Sequence, residues 1–227
     1  EININGFLNM LIATQEAGIK RFVYAASSST YGDSKELPKV EHQIGMPISP
    51  YAVTKYVNEL YAHVFSNLHG LETIGLRYFN VFGKRQDPNG AYAAAIPKFI
   101  KALMNYESPI IHGDGKQSRD FTYIDNVILA NQLAATTNNK NAINTVYNVA
   151  CGDQSILKNI VLKLKDLLSQ FDEKIANVEI EHGPERVGDI KHSLASIEKG
   201  RDLLNYQPTH TVNEGLEEAI NWYWNNL

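Results

Sequence analysis

A tyrosine and a lysine stand four residues apart in the segment SPYAVTKYVNE, residues 49–59. On a helix this spacing places Tyr51 and Lys55 on one face, one turn apart. The positive charge of a lysine beside a phenol favours the phenolate, so it lowers the pKa of the tyrosine from its reference value of about 10. Such a tyrosine can take up a proton near neutral pH, which is the task of a general base.

Three consecutive serines, Ser27–Ser29, follow the apolar segment FVYAA. If that segment is a strand of a parallel sheet, the serines lie beyond its carboxyl end, where ligands of such sheets bind. A hydroxyl-rich turn that satisfies its own backbone is the alternative interpretation. A Y-x-x-x-K spacing alone is weak evidence for a catalytic site, because it occurs often on helices by chance. Its combination with a preceding strand that ends in serines and then Y-G is a specific signal.

Composition indicates an ordinary globular protein, because 227 residues with 44% apolar side chains can build a sizeable core. Lys and Arg number 21 against 25 acidic residues, so we expect no nucleic-acid partner. No apolar run approaches the ~18 residues that cross a bilayer, so we expect no membrane partner. A single cysteine, Cys151, no signal peptide and no metal-ligand spacing among the histidines predict a cytoplasmic protein without a metal site.

Hydrophobic periodicity and Gly/Pro punctuation predict alternating helices and strands. We expect helices near 4–17, 49–70, 93–106 and 155–170, a helix opened by Asp125, two closing helices, and strands near 21–26, 73–79, 109–112, 119–124, 145–150 and 177–181. Strands separated by helices of this length imply parallel pairing with right-handed crossovers, hence an α/β fold. The later, shorter elements predict a smaller α+β lobe, with a boundary near residues 80–95.

Six segments together resemble the nucleotide-sugar epimerases of the extended short-chain dehydrogenase/reductase family. They are SSSTYG, SPYAVTKYVNE, LRYFNVFGKRQDPNGAYAAAIPKFI, GDGKQSRDFTYIDNV, YNVACGD and RVGDIKHS. The resemblance covers essentially the whole chain, and the GKRQDPNGAY loop is most similar to epimerases of N-acetylated UDP-sugars. It implies the C-terminal part of a Rossmann-type parallel sheet domain plus a smaller α+β substrate lobe. Residues 1–90 would form a partial NAD-binding domain, to which the chain can return, and residues 91–227 mainly the UDP-sugar lobe.

The resemblance also implies roles for the residues of the opening motifs. Tyr51 would remove the proton from the sugar 4-hydroxyl while NAD accepts hydride from C4, and Lys55 would hold the nicotinamide ribose and keep Tyr51 acidic. Ser27 occupies the position whose hydroxyl binds the reacting oxygen in relatives. The product of this half-reaction is a 4-keto sugar, which turns over and takes the hydride back on its other face.

Four more residues are implied to contact the cofactor. These are Ala25 and Ala26 at the end of the first strand, and Tyr78 and Phe79 in RYFN. For Tyr78 and Phe79, packing of an aromatic strand end in the core is a nearly equal alternative.

The sugar pocket and the nucleotide are assigned to polar residues by the same resemblance. Ser28 and Ser29 would line the sugar pocket, where relatives that dehydrate the sugar tend to carry an acidic pair. Asn80 matches the asparagine that contacts the diphosphate-sugar, and Gln86 lies in the loop that approaches the nucleotide in relatives. The serines therefore argue against elimination chemistry.

Two arginines and a small residue complete the implied substrate site. Arg119 and Arg186 match the arginines that grip the UDP diphosphate, for which the planar guanidinium is suited. Ser193 lies seven residues beyond Arg186, where relatives restricted to unacetylated hexoses carry a tyrosine. A small side chain leaves room for a 2-acetamido group, which predicts interconversion of UDP-GlcNAc and UDP-GalNAc; a 6-carboxylate form of these sugars also fits.

One motif of the family does not occur in the sequence. The G-x-x-G-x-x-G turn that receives the pyrophosphate is absent, so we expect about a third of the usual protein to be missing before residue 1. The missing strands would leave an unpaired apolar sheet edge. We therefore expect the 227-residue chain alone to hold half an NAD site, to be poorly stable and to be inactive.

Two other functions stay open on the sequence. One is a nucleotide-sugar dehydratase or decarboxylase that uses the same hydride step, and the other is a catalytically dead remnant that binds UDP-sugars. Relatives commonly dimerise through a four-helix bundle that includes the Tyr–Lys helix. We therefore expect a homodimer of the complete protein, with apolar surface from Val57, Leu60, Tyr61, Val64 and Phe65.

Overall fold

Strands and helices alternate along the protein, whose computed structural model describes residues 1–90, 94–185 and 190–227. The strands are β1 Arg21–Ser27, β2 Glu72–Tyr78, β3 Val81–Phe82, β4 Ile110–His112, β5 Ser118–Arg119, β6 Thr122–Tyr123, β7 Thr145–Val149, β8 Ser155–Ile156 and β9 Glu181–Gly183. The α-helices are α1 Phe7–Glu16, α2 Pro50–His69, α3 Ala95–Met104, α4 Ile124–Thr136, α5 Leu157–Ser169, α6 Glu198–Leu204 and α7 Val212–Asn226.

Three parallel strands form the main sheet in the order β1-β2-β7. Ser27 pairs with Tyr78, and Tyr78 pairs with Val149, so the carboxyl ends of all three strands meet at one edge. The predicted α/β class with parallel pairing is confirmed. β7 brings the chain back to this sheet after residue 140, while the division of the chain at residue 90 stays a prediction.

Helix α2 has capping residues at both ends. The Ser49 side chain accepts a hydrogen bond from the backbone N–H of Ala52 at 3.1 Å, and Pro50 occupies the first turn, where its missing N–H costs nothing. Gly70 ends the helix in the left-handed conformation at φ +67°, which favours glycine. Because α2 joins two parallel strands, it runs antiparallel to them, and its first turn lies at the carboxyl edge of the sheet.

Two hydrophobic cores lie on either side of the segment that follows β2. The first packs the sheet against α4 and α6 through residues such as Leu76, Val127 and Tyr147. The second joins α3, α5 and α7 through Ile100, Leu164 and Leu216 among others. The small strand pairs β3–β6, β4–β9 and β5–β8 belong to this later part of the chain. Among the helices of the described residues, none is both long enough and apolar enough to cross a membrane.

Three sequence predictions differ from the structure. The strand expected near 177–181 is a 3₁₀ turn at Glu173–Asn177 followed by β9, which begins at Glu181. The strand expected over 119–124 is divided into β5 and β6. Asp125 lies inside the first turn of α4 rather than at its cap, which is Tyr123.

Candidate active site

The three serines form a short loop at the carboxyl end of β1. The Ser27 hydroxyl oxygen accepts a hydrogen bond from the backbone N–H of Ser29 at 3.2 Å and another from the Ser29 hydroxyl at 2.9 Å. Residues 28–31 continue as a single 3₁₀ turn. The serines therefore satisfy part of their own backbone, as the turn interpretation predicts, and they also reach the edge where ligands of parallel sheets bind.

The segment after the serines, residues 32–46, which we call the serine-loop arm, folds back on itself. Gly32 has φ +54°, and a Cβ atom at this position would lie 1.9 Å from the carbonyl oxygen of Met46. The backbone N–H of Asp33 donates to the same carbonyl at 3.1 Å. Only glycine combines this φ with this close approach of two backbone segments.

A buried ion pair lies beneath the serine loop. Arg77 of β2 donates from Nε and Nη2 to the two carboxylate oxygens of Glu59 on α2, at 2.9 and 2.7 Å. Its guanidinium carbon lies 4.8 Å from the centroid of the Tyr31 ring, whose hydroxyl donates to Asn148 Oδ1 on β7 at 2.6 Å. Tyr31, the last residue of the serine loop (residues 27–31), is thus in contact with both β2 and β7. Sequence reasoning missed this network, although a charged residue inside a buried strand is a signal for it.

Lys55 attaches the face of α2 that carries Tyr51 to the sheet. Its Nζ donates to the backbone carbonyl of Ala25 at 2.9 Å and lies 5.9 Å from the centroid of the Tyr51 ring, and burial lowers the pKa of its ammonium group. Tyr51 precedes Lys55 by one helical turn, a rise of about 6 Å, and Ser27 follows Ala25 by two strand residues, about 6.6 Å. Because α2 runs antiparallel to β1, both steps lead from the Lys55–Ala25 hydrogen bond towards the carboxyl edge of the sheet, where Ser27 lies, although Tyr51 and Lys55 do not line the cleft that contains Ser27. The Tyr51 residue is 50% exposed, so its phenol is accessible to a ligand.

Six of the predicted substrate and catalytic residues line one cleft of about 190 Å³, which we call the serine cleft. They are Ser27, Ser28, Ser29, Asn80, Arg119 and Ser193. A second cleft of about 480 Å³, the apolar cleft, shares Asn80 and Arg119 with the first and continues between Phe99, Phe121 and Leu157. The two clefts therefore adjoin at Asn80 and Arg119, with hydroxyls in one and mainly apolar walls in the other.

The residues shared by the two clefts have defined backbone partners. Asn80 has φ +31°, and its Nδ2 donates to the carbonyl of Asp120 at 3.1 Å. Arg119 donates from Nη1 to the carbonyls of Ser118 and Lys191 at 3.0 and 3.1 Å. Gln86 lines neither cleft; its Nε2 donates to the Val81 carbonyl at 3.0 Å. The predicted contact of Gln86 with the nucleotide therefore stays a prediction, and Arg186 lies outside the described residues.

The predicted cofactor residues differ in exposure. Ala25 is exposed and Ala26 is buried. The Tyr78 hydroxyl donates to Asn131 Oδ1 on α4 at 3.1 Å, which ties this ring to the core. Phe79 is buried, yet it contributes to the wall of the serine cleft. Core packing thus explains much of the position of the Tyr78 ring. The cofactor roles of all four residues stay predictions.

Asp120 is a site residue that sequence reasoning missed. It is fully buried, and its carboxylate accepts backbone N–H bonds from Cys151, Gly152 and Ala195 at 2.9, 3.1 and 3.2 Å. Burial raises the pKa of this carboxyl to about 7, although the three N–H donors favour its charged form. Because Asp120 follows Arg119 directly and its carbonyl holds Asn80, this carboxylate fixes the junction of the two clefts.

The residues at the sheet edge fit the nicotinamide end of an NAD molecule. An ammonium group has three N–H donors, and the hydrogen bond to Ala25 uses one of those on Lys55, which leaves donors for ribose hydroxyls. Tyr51 and Ala25 are both exposed. The pyrophosphate end has no counterpart in the sequence, because no G-x-x-G-x-x-G turn occurs in it.

A parallel sheet with a hydroxyl loop and a Tyr–Lys helix at its carboxyl edge defines a Rossmann-type short-chain dehydrogenase/reductase. The model of the NAD dependent epimerase/dehydratase family matches residues 1–150, and the chain belongs to this family. The resemblance found in the sequence and the dependence on NAD are thereby confirmed at the level of the family.

Three relatives illustrate the similarity. The structure of UDP-N-acetylglucosamine 4-epimerase from Methanobrevibacter ruminantium M1, in complex with UDP-N-acetylmuramic acid, is 39% identical with a TM-score of 0.91 over 99% of this chain and 69% of that one. A putative UDP-glucose 4-epimerase of Methanocaldococcus jannaschii is 33% identical over 100% of this chain and 70% of its own length. A UDP-glucuronate 4-epimerase of Thermodesulfobacterium geofontis is 33% identical over 99% of this chain and 66% of its own length. The chain thus spans about two thirds of the length of these relatives.

Proposed function

We propose that the native protein containing this chain catalyses NAD-dependent 4-epimerisation of a UDP-N-acetylhexosamine through a 4-keto intermediate. The observation that carries the proposal is the hydrogen bond from Lys55, one turn after Tyr51, to Ala25, two residues before Ser27 in the wall of the serine cleft. Relatives named as UDP-sugar 4-epimerases support the reaction class.

Each site residue has one task in this reaction. The Tyr51 phenolate takes the proton from the sugar 4-hydroxyl and later returns it, and the Ser27 hydroxyl donates a hydrogen bond to the same oxygen. Lys55, whose Nζ lies 5.9 Å from the centroid of the Tyr51 ring, would hold the nicotinamide ribose. NAD, held at the sheet edge by Lys55, would supply reversible hydride chemistry at C4, so that no net oxidation would occur. The 4-keto sugar has to turn within the site, so that hydride is returned to the other face of C4 while the proton returns to the 4-oxygen.

The substrate assignment depends on the walls of the serine cleft. Ser193 is small and lines this cleft, which leaves volume for a 2-acetamido group. Arg119 lies at the junction with the apolar cleft, where it can grip the diphosphate while the uracil base extends between the apolar walls. Ser28 and Ser29 offer hydroxyls rather than the acidic pair of dehydrating relatives, which supports epimerisation over elimination.

Assembly into a homodimer is part of the proposal. Of the residues predicted to supply its apolar surface, Leu60 and Val64 are exposed and Val57 and Tyr61 are half-buried, but Phe65 is buried in a cluster with Leu11 and Leu71, which corrects its assignment. Met10 of α1 and Leu68 of α2 are also exposed apolar residues. Such a patch is typical of a surface that is covered in the complete assembly. Sedimentation velocity of the native protein tests this expectation, since a monomer at micromolar concentration would contradict it.

The reaction is tested by incubating the native protein with UDP-GlcNAc and following UDP-GalNAc by proton NMR. Tyr51→Phe removes the base and should lower kcat by about 10²- to 10⁴-fold. Tyr56→Phe, on another face of the same helix, is the matched control and should leave kcat within about twofold. Equal losses in the two variants would contradict the role of Tyr51.

The substrate class is tested by a second comparison on the same protein. Ser193→Tyr should lower kcat/KM for UDP-GlcNAc far more than for UDP-glucose, because the added ring fills the space of the acetamido group. Equal losses of kcat/KM on both substrates would contradict the inference that the space beside Ser193 holds the acetamido group. Release of a stable keto-sugar would instead indicate a dehydratase or decarboxylase, and UDP binding without turnover would indicate a catalytically dead binding protein.

A further inference from the structure

The hydroxyl oxygen of Ser27 accepts two hydrogen bonds from the same neighbour, Ser29. The backbone N–H of Ser29 donates to it at 3.2 Å, and the Ser29 hydroxyl donates to it at 2.9 Å. A serine hydroxyl offers two lone pairs as acceptors and one O–H as a donor. Ser29 therefore takes up the acceptor capacity of Ser27, and the O–H is the group that Ser27 has left for a ligand in the serine cleft.

The turn that carries Ser29 is held in place by its neighbours in the chain. The buried Thr30 hydroxyl donates to Glu59 Oε1 on α2 at 3.4 Å, and the backbone N–H of Gly32 donates to the Ser29 carbonyl at 3.1 Å. Tyr31 adds the contacts with β2 and β7 described above. The fold therefore sets the distance between the two serines before a ligand binds. A donor that is oriented in advance needs no rearrangement when charge develops in a transition state.

The direction of the Ser27 O–H matters for the proposed reaction. When Tyr51 takes the proton from the sugar 4-hydroxyl, negative charge develops on the 4-oxygen, and a hydrogen bond donated by Ser27 stabilises that charge. With a free lone pair, the Ser27 hydroxyl could turn round and accept a hydrogen bond from the sugar 4-hydroxyl. This second arrangement would hold the proton away from Tyr51. The two bonds from Ser29 disfavour it, because they occupy the lone pairs that it needs.

We propose that Ser29 is a positioning residue, which acts on the reacting sugar oxygen through the Ser27 hydroxyl rather than by direct contact. This inference rests on the proposed function and changes the role implied for Ser29, which was to line the sugar pocket. Ser29 does line the serine cleft, but its hydroxyl proton is committed to Ser27. Ser28 lies between the two residues and takes part in neither of their hydrogen bonds, so contact with the sugar stays its role.

The test is a double-mutant cycle on the native protein with UDP-GlcNAc as the substrate. Ser29→Ala frees one lone pair of Ser27 and should lower kcat by about tenfold, the effect of one hydrogen bond, while KM stays within about twofold. In the Ser27→Ala background the same substitution should change kcat by less than about twofold, because the oxygen that Ser29 holds is gone. Ser29→Thr keeps a hydroxyl and should retain kcat within about threefold of the wild type, which guards against a variant that simply misfolds.

The two backgrounds separate positioning from direct contact and from a structural role. An equal loss of kcat from Ser29→Ala with and without the Ser27 hydroxyl would overturn the inference, because Ser29 would then act on the sugar itself or only stabilise the turn. A rise in KM with kcat unchanged would overturn it as well. Ser28→Ala makes the same chemical change one residue away and should raise KM by the same factor in both backgrounds. Absence of turnover by the wild type would instead overturn the proposed function, on which this role depends.

Discussion

Replacing Glu59 by glutamine is expected to lower the free energy of unfolding by about 3 to 5 kcal/mol, because it leaves the Arg77 guanidinium buried without a counter-charge. Arg77 is 2% exposed, and both oxygens of the Glu59 carboxylate accept from it, at 2.9 and 2.7 Å. Glutamine has nearly the same size, but it offers one acceptor oxygen where the carboxylate offers two. Its NH₂ group would face an N–H of the arginine, which adds a buried donor without an acceptor.

An exposed ion pair of similar length provides the control. Lys163 and Glu217 lie 2.6 Å apart, and the Glu217 side chain is 53% exposed. Glu217→Gln should therefore cost only about 0 to 1 kcal/mol, since water screens and replaces this pair. The two substitutions make the same chemical change at nearly the same distance, so their difference isolates the effect of burial.

Urea unfolding of the native protein, followed by circular dichroism, measures both losses. The double variant Glu59→Leu/Arg77→Met should recover most of the stability lost in Glu59→Gln, because a buried ion pair can be replaced by apolar side chains at little cost. The reasoning is refuted if Glu59→Gln and Glu217→Gln lower the free energy of unfolding equally. It is also refuted if the double variant is no more stable than Glu59→Gln.

Two further predictions concern a carboxylate and a turn. Burial alone would raise the pKa of Glu72, but hydrogen bonds from Arg21 and Lys140 hold it at about 2, below its usual 4.5. Glu72 therefore adds stability above pH 4.5 that is lost as the pH falls towards 2, and an acid titration of urea midpoints should be flatter in Glu72→Gln. Gly32→Ala should cost at least about 3 kcal/mol, because the new Cβ would overlap a backbone carbonyl oxygen and φ is positive. Gly70→Ala, also at positive φ but with nothing within 4 Å, should cost only about 1 kcal/mol, and equal thermal midpoints for the two variants would contradict this explanation.

Elements with local signals were predictable from the sequence. The ends of α2 follow from Ser49, Pro50 and Gly70, which cap and terminate the helix through contacts within a few residues. The predicted position of the strand near 177–181 was wrong because no local signal marks the strand that forms there, β9. β9 exists because it pairs with β4, about seventy residues earlier, and its three residues contain no strand-forming pattern of their own.

The same distinction applies to the candidate site. Ser27, Tyr51 and Lys55 could be found because their spacing along the chain is itself the signal. Asp120 could not, because its significance comes from three backbone N–H groups that only the fold brings to its carboxylate. In the sequence it is an ordinary charged residue.

The order of the strands in the main sheet also has a consequence for synthesis on the ribosome. β1 and β2 are complete at Tyr78, but β7 begins only at Thr145, so 66 residues are translated between the second and third strands. At bacterial and eukaryotic elongation rates, this interval lasts about 3 to 13 seconds. During that time the open edge of β2 is present without its neighbour, although the carboxyl ends of β1 and β2 already carry the serines and Tyr78. Slower codons within residues 79–144 would lengthen this exposure, and faster codons would shorten it.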